Sequence, residues 1–416
     1  MSAPDLSLCS RTLRRLAAGA LACLFAAGAI AQEPVQTPEQ SLAQDAVEFA
    51  RERVIPSDEA EQRLRALDQS VPATDRLREE FRSRLAGLSV EHDPVDRIVV
   101  LLTGTELIAD RVISAAGIDI PVQFRTGARA TRDQVVEAMR RFQPALREQL
   151  PNGRGFGLDQ RTGELVLLVT SADSERLGAD KIRERAEALT GVPVSVRLAE
   201  GGATDMTLAG GARVVGRAGE DNRNFACTTG FVVTNGAVQA IATAAHCPDN
   251  LLYLDPQGAR VPLPMIGSWG ARYQDVQINA SPAPLRPLFY SDPKSGALRR
   301  LASWRNRTSL RAGDYVCHYG ETSGYSCAEI DLTDYAPSGE LCGGPCAPMW
   351  VTVKGPNCRA GDSGGPVFIG STAIGIFKGG SGTRSPRCNF YYFMSIDFLP
   401  AGWTLLYRDP PADSAQ

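Results

Sequence analysis

Gly361-Asp362-Ser363-Gly364-Gly365-Pro366 sets a serine in a glycine-rich turn, and Thr243-Ala244-Ala245-His246-Cys247 sets a histidine at the end of an apolar run 117 residues upstream. A serine hydroxyl is a weak nucleophile until a base takes its proton, and histidine is the usual base. The chain has only three histidines, His92, His246 and His318. The pair therefore points to hydrolase chemistry at a serine.

The serine motif also satisfies Gly-x-Ser-x-Gly, the turn of the α/β-hydrolases. In that fold the order is serine, then acid, then histidine. No histidine follows Ser363, so the base must lie upstream. His246 is the better candidate, because it sits where a strand gives way to a turn and a neighbouring cysteine can staple its loop. His318, in Val316-Cys317-His318-Tyr319-Gly320, is the rival. His92 lies in a charged block and is expected to be solvated. The acid that orients the imidazole is expected at Asp275, in Tyr273-Gln274-Asp275-Val276-Gln277-Ile278, where it opens an alternating run. Asp249, Asp255 and Asp292 are rivals in poorer contexts.

A chain of 416 residues suggests two folded units. Hydrophobic content of 43% and charged content of 22% are ordinary for a soluble globular protein. A net charge of −3 gives no ground for a nucleic-acid partner or an anionic membrane surface. The N-terminus has Arg11, Arg14 and Arg15, then a small-residue apolar run over 16–31 that ends Ala29-Ile30-Ala31. This reads as a secretory signal peptide with an Ala-x-Ala-like cleavage site. The run is short of the roughly 20 residues that span a bilayer, so no membrane anchor is expected. Cys9 and Cys23 lie in the signal. The other eight cysteines fall between Cys227 and Cys388. An even number confined to one half of an exported chain implies disulfides there, with 105 possible pairings. Zinc at Cys342-Gly343-Gly344-Pro345-Cys346 is the competing reading. No second close pair with suitable histidines supports it, and no metal or organic cofactor is implied.

Residues 33–200 form a cysteine-free, charged block. Apolar spacing predicts helices over 41–54, 57–68 and 74–88, then strands over 96–102 and 118–124. Thr131-Arg132-Asp133-Gln134 predicts a capping box opening a helix that Pro144 should kink or end. A hairpin is expected at 157–159 and 164–170, a helix near 179–189 and a strand over 192–198. The block reads as helices followed by a small α+β domain. Residues 200–222 are Gly-rich and read as a junction. From about 212 to 407 short β-rich runs alternate with Gly, Pro, Asn and Asp, which argues for an all-β barrel or sandwich.

Thr243-Ala244-Ala245-His246-Cys247, Asp275-Val276-Gln277-Ile278, the run Val-Cys-His-Tyr-Gly-Glu-Thr-Ser-Gly-Tyr-Ser-Cys at 316–327 and Gly361-Asp362-Ser363-Gly364-Gly365-Pro366 resemble the chymotrypsin-like serine proteases. More narrowly, they are similar to the secreted bacterial branch that includes α-lytic protease and the streptogrisins, over roughly 212–400. The 33–200 block resembles, more weakly, the pro-region of that branch. The resemblance implies an all-β double six-stranded barrel preceded by an α+β pro-domain. It implies His246 as general base, Asp275 as orienting acid, Ser363 as nucleophile, and the Gly361 and Ser363 amides as an oxyanion hole. It implies disulfides Cys227–Cys247, Cys317–Cys327 and Cys358–Cys388, which leaves Cys342–Cys346 to close a very small loop.

Two departures from that branch stand out. The cleft-lining strand usually reads Ser-Gly-Gly and here reads Lys378-Gly379-Gly380, and lysine cannot copy the serine hydroxyl that supports the aspartate. Either the local register differs or Lys378 points elsewhere. Second, Cys358-Arg359-Ala360-Gly361 is one residue shorter than is usual where the specificity pocket is walled. Arg359 or Lys378 would favour an acidic residue before the scissile bond.

The expected organisation is a signal peptide at 1–31, a pro-region at 32–200, a processing junction at 201–211 and a protease domain at 212–416. The expected function is a secreted, extracellular serine endopeptidase, with a periplasm among the routes of export. It acts on protein or peptide substrates as a monomer and is made as a zymogen whose own pro-region assists folding and inhibits. The alternatives are an inert binding protein of the same fold, against which all of His246, Asp275, Ser363 and Gly361 being present counts, and a secreted esterase, against which the residue order counts.

Overall fold

Thr37 opens the first helix, α1 (Pro38–Arg53). Its side chain accepts from the Gln40 N–H and the Gln40 side chain accepts from the Thr37 N–H, so two otherwise orphaned donors are satisfied. The structure is a computed structural model that describes residues 35–407 apart from 94, 151–152, 154, 200–203, 206–211, 219–222, 255–259, 283–284, 293–296, 339–340, 356 and 383–387. The expected signal peptide and most of the expected processing junction lie outside the described residues.

Helices α2 (Ser57–Gln69) and α3 (Val71–Glu80) follow. The helix expected over 74–88 stops early, because Leu85–Glu91 is a strand. Leu85, Leu88 and Val90 pack with Ile98, Val100 and Leu102 in one apolar cluster. Gly87 lies so close to the chain at Gln160 that a Cβ would stand 1.9 Å from its carbonyl oxygen. Tertiary packing thus overrides the local helical spacing. The strand joins a four-stranded sheet in the order Leu85–Glu91, Arg97–Thr103, Ile118–Ala128, Arg111–Ala115.

The Thr131 capping box forms, and α4 (Arg132–Gln149) continues past Pro144 instead of ending there. Proline removes one backbone donor. Here the helix is held on both sides of it: the Gln143 side chain donates to the Cys346 carbonyl at 2.7 Å, and Leu146 is buried. The hairpin Gly155–Asp159 and Glu164–Val169 is antiparallel. Then come α5 (Ser171–Leu177), which the spacing did not suggest, and α6 (Ala179–Thr190). Val194–Leu198 lies parallel to Glu164–Val169.

The fourth strand of that sheet comes from the other half of the chain. Thr333–Pro337 pairs antiparallel with Gly155–Asp159, so one sheet crosses the compositional boundary. Other contacts cross it too. Asp45 of α1 is buried, accepting from Arg299 Nη2 at 2.9 Å, the Tyr325 hydroxyl at 2.5 Å and the Gly370 N–H at 2.6 Å. The Arg311 guanidinium, also buried, donates to the Ser70 hydroxyl and the Leu67 carbonyl of the α2 end, both at 3.0 Å. His92 is buried, not solvated as expected. It lies 2.8 Å from Asp96 through Nδ1 and 2.9 Å from the Gly313 carbonyl through Nε2. The backbone of the other half supplies a partner that the local sequence does not contain.

Residues 212–407 are β-rich. A four-stranded sheet runs Arg223–Thr228, Arg213–Ala218, Leu251–Leu254, Arg260–Leu263. A five-stranded sheet runs Met265–Trp269, Val276–Ala280, Gln239–Thr243, Val232–Thr234, Thr404–Leu405. Only Pro264 separates Arg260–Leu263 from Met265–Trp269, so the chain turns directly from one sheet into the other. A further sheet follows the path Gly324–Glu329, Tyr315–Gly320, Pro366–Ile369, Thr372–Ser381, Phe390–Ser395, Val351–Lys354. An antiparallel bridge from Ile330 to Val353 brings its two ends together. The inner residues of these β-systems, among them Val276, Ile278, Phe368, Ile376 and Tyr392, share one buried cluster. Among the described residues no helix is long and apolar enough to cross a membrane.

Candidate active site

The strand Gln239–Thr243 ends in the turn that carries His246. The Cys227–Cys247 disulfide ties that turn to the strand Arg223–Thr228. Asp275 stands immediately before the strand Val276–Ala280, which pairs with Gln239–Thr243. That pairing brings the two residues together. His246 Nδ1 donates to Asp275 Oδ2 at 2.8 Å, and the His246 backbone N–H donates to Oδ1 at 3.2 Å. Both carboxylate oxygens are thus used to fix the ring and its tautomer. Asp275 is 1% exposed. Burial alone would raise its pKa. The His246 and Lys378 charges and their hydrogen bonds outweigh that, and the carboxyl is held well below the usual carboxylate range. Of the rival acids, Asp249 is exposed and Asp255 lies outside the described residues.

Ser363 is fully buried. Its turn is pinned to the strands Arg223–Thr228 and Thr372–Ser381. The Thr228 N–H donates to the Ser363 carbonyl at 2.6 Å, and the Gly364 N–H donates to the Phe377 carbonyl at 2.8 Å. Gly364 has φ +88°, and a Cβ there would stand 2.1 Å from the Thr228 carbonyl and 2.2 Å from Thr243 Oγ1. Only glycine suits both the conformation and the space. Gly361 likewise takes φ +121°, and its carbonyl accepts from the Thr228 hydroxyl at 2.9 Å. The side chain of Asp362 accepts from the Ser323 N–H at 3.1 Å and the Arg359 N–H at 2.7 Å. Burial pushes its carboxyl up to about 6, against hydrogen bonds that lower it.

Lys378 settles both alternatives raised by the sequence. The register between Thr372–Ser381 and Phe390–Ser395 shifts between Phe377 and Gly379, so Lys378 sits in a bulge. A bulge re-aims a side chain. This one points inward, to Asp275. Its Nζ lies 3.3 Å from Asp275 Oδ2 and 5.4 Å from the centroid of the Trp350 ring, and the side chain is 2% exposed. The Ser363 hydroxyl donates to the Lys378 carbonyl at 3.3 Å. Ser363, Lys378, Asp275 and His246 therefore form one connected polar chain. The ammonium is paired with the buried Asp275 carboxylate. Arg359 is exposed. Gly379 and Gly380 pair antiparallel with Asp205 and Thr204, a short strand from the expected junction.

His318 belongs elsewhere. It lies 2.8 Å from the Asn357 carbonyl through Nε2 and is flanked by Phe377 and Tyr391. Burial pulls its pKa down to about 4, so it is a neutral core residue. All four disulfides form: Cys227–Cys247, Cys317–Cys327, Cys342–Cys346 and Cys358–Cys388. Sequence reasoning missed Trp350 beside the Lys378 ammonium and Met394 beside Asp275. Met394 Sδ accepts from the Asp275 N–H at 3.3 Å. Neither residue type carries a signal for that role.

No family model matches the chain. Streptogrisin-C of Streptomyces griseus is 31% identical over 207 residues, 46% of this chain and 41% of that relative. The chain resembles the bacterial chymotrypsin-like serine proteases. It spans less than half the length of the curated relative it matches. Among solved structures, Thermobifida fusca protease A is 22% identical at a TM-score of 0.38, covering 48% of this chain and 99% of its own. Nocardiopsis protease is 22% identical at a TM-score of 0.36, covering 46% of this chain and 92% of its own.

Proposed function

We propose that the protein is a serine endopeptidase with Ser363 as nucleophile, His246 as general base and Asp275 as the acid that orients it. The carrying observation is the pair of bonds from His246 to both oxygens of buried Asp275, with the Ser363 hydroxyl donating to the backbone carbonyl of Lys378, whose ammonium meets the same carboxylate. In this mechanism the Ser363 oxygen attacks the peptide carbonyl carbon as its proton passes to His246 Nε2. The amides of Gly361 and Ser363 receive the developing oxyanion. The C–N bond then breaks, the amine leaves with the proton from His246, and an acyl-enzyme remains. Water, deprotonated by His246, attacks the ester and restores the serine. Asp275 holds the ring and stabilises the imidazolium. Each oxyanion donor contributes about 2.7–4 kcal/mol.

In this reading 1–31 is a signal peptide for secretion, 32–200 a pro-region, 201–211 the processing junction and 212–416 a double-barrel protease domain that acts on proteins or peptides as a monomer. The pro-region reading is supported by the shared sheet, by the buried Asp45–Arg299 pair, and by the strand Thr204–Asp205 lying along Gly379–Gly380, the edge a peptide substrate would use. Ser363 being buried in the uncut chain agrees with an inhibited precursor. Barrels rich in long-range pairing fold slowly, which gives a folding helper a physical purpose. The test is casein hydrolysis by the secreted wild type beside Ser363→Ala, and recovery of activity by denatured protease domain with and without residues 32–200 supplied in trans. Equal activity of both chains would remove the triad. Equal recovery would remove the folding role.

A further inference from the structure

We propose that Lys378 is a positioning residue for the base: its ammonium shares Asp275 Oδ2 with the His246 imidazole, and so keeps His246 unprotonated to lower pH than a triad whose aspartate has only neutral partners. The inference rests on the triad reading above. Its ground is geometric. The bonds at 3.3 Å and 2.8 Å end on the same oxygen, so Nζ lies within about 6 Å of Nδ1. Asp275 and Lys378 together carry no net charge. An imidazolium at His246 gains attraction from the carboxylate and loses it to the ammonium, whereas neutral imidazole is indifferent to both. The lysine therefore favours the neutral ring, the form that can take a proton from Ser363.

The arrangement is built, not incidental. The bulge between Phe377 and Gly379 aims Lys378 inward, Trp350 lies under its ammonium, and water has almost no access. The other ionisable groups on the surrounding elements are placed differently. Asp249, Arg272, Tyr273 and Lys354 are exposed. Asp397 accepts from the Arg307 N–H at 3.1 Å, and Asp362 is bound to the Ser323 and Arg359 amides. None of these changes when Lys378 is replaced.

For two unit charges about 6 Å apart at an effective dielectric constant of about 20, the expected displacement is about two pH units, falling toward one as solvent enters the cleft. The test is the pH dependence of kcat/KM for wild type, Lys378→Gln, Lys378→Met and Lys378→Arg, with titration of the His246 ring by NMR in each, on uncut chains carrying Ser363→Ala. With three histidines in the chain the ring signals are readily assigned. The expected result is an acid limb and a His246 midpoint moved up by about one to two units in the Gln and Met variants and restored by Arg. A midpoint that stays within about 0.3 units in the Gln variant overturns the proposal. If wild type shows no Ser363-dependent hydrolysis, the endopeptidase reading fails, while the ring titration still decides the role of Lys378 because it needs no turnover. If the Met variant does not fold, the Gln and Arg variants carry the comparison.

Discussion

Removing the Asp45 carboxylate should loosen the N-terminal block from the β-rich half. Asp45 and Arg299 are 2% and 0% exposed and 2.9 Å apart. The same carboxylate also accepts from the Tyr325 hydroxyl and the Gly370 N–H. Arg299 lies over the Phe368 ring, 4.8 Å from its centroid, and also donates to the Gly370 carbonyl at 2.9 Å, so it cannot swing out to water without dismantling the packing there. Asp45→Ala leaves a guanidinium buried without its counter-charge. Breaking such a pair from one side costs about 3–5 kcal/mol, and each 1.4 kcal/mol is tenfold in an equilibrium constant. Binding of the block to the protease domain should therefore weaken by about 100- to 3,000-fold. The assay is denaturant unfolding of the uncut Ser363→Ala chain, with Glu79→Ala as control. Glu79 is exposed, and its ion pair with Arg82 is expected to be worth under 1 kcal/mol. Arg299→Met added to Asp45→Ala should recover most of the loss. If Asp45→Ala costs no more than Glu79→Ala, the buried pair does not hold the halves together and the reasoning fails.

The Asp362 carboxyl, pushed up to about 6 from 3.8, keeps its proton in the folded chain over a range where the unfolded chain releases it. This group's contribution to stability is full below about pH 4 and lost by about pH 6, a change of about 3 kcal/mol. Unfolding midpoints of the Ser363→Ala chain with and without Asp362→Asn, compared from pH 4 to 7, should show that slope in the parent alone; parallel curves would contradict it. Gly364→Ala should abolish secretion of folded protein or activity, because the added methyl meets the Thr228 carbonyl at 2.1 Å. Near-wild-type activity would show that the turn can open. A peptide-library profile should show no acidic preference that Lys378→Gln removes, since that ammonium is spent on Asp275. Loss of such a preference in the variant would contradict the geometry.

Much of the site was legible because its chemistry is carried by residue types with few substitutes. With no histidine after Ser363, order put the base upstream, the strand-to-turn setting beside Cys247 favoured His246 over His318, and the alternating run after Asp275 marked a strand that can carry the acid inward. The capping boxes at Thr37 and Thr131 and the hairpin at 155–169 are local events, of which the sequence signalled the second box and the hairpin. What was not legible depended on the other half of the chain. Residues 85–88 carry helical spacing yet pair as a strand, because Gly87 fits against Gln160 and Leu88 against Ile98 and Val100. His92 looks solvated until the Gly313 carbonyl meets it. Lys378 reads as a mismatch until the bulge beside it is known. Nothing near residue 333 says that this strand extends a sheet begun at 155.

The central claim is that Ser363, based by His246, cuts peptide bonds, the chain's own junction among them. Intact mass and N-terminal sequencing of secreted wild type beside Ser363→Ala, with casein hydrolysis by both, tests it most directly. The account predicts a wild-type product that begins within 200–213 and digests casein, and a mutant that stays uncut and inactive. A Ser363→Ala chain that is cut at the same point and digests casein equally would contradict it.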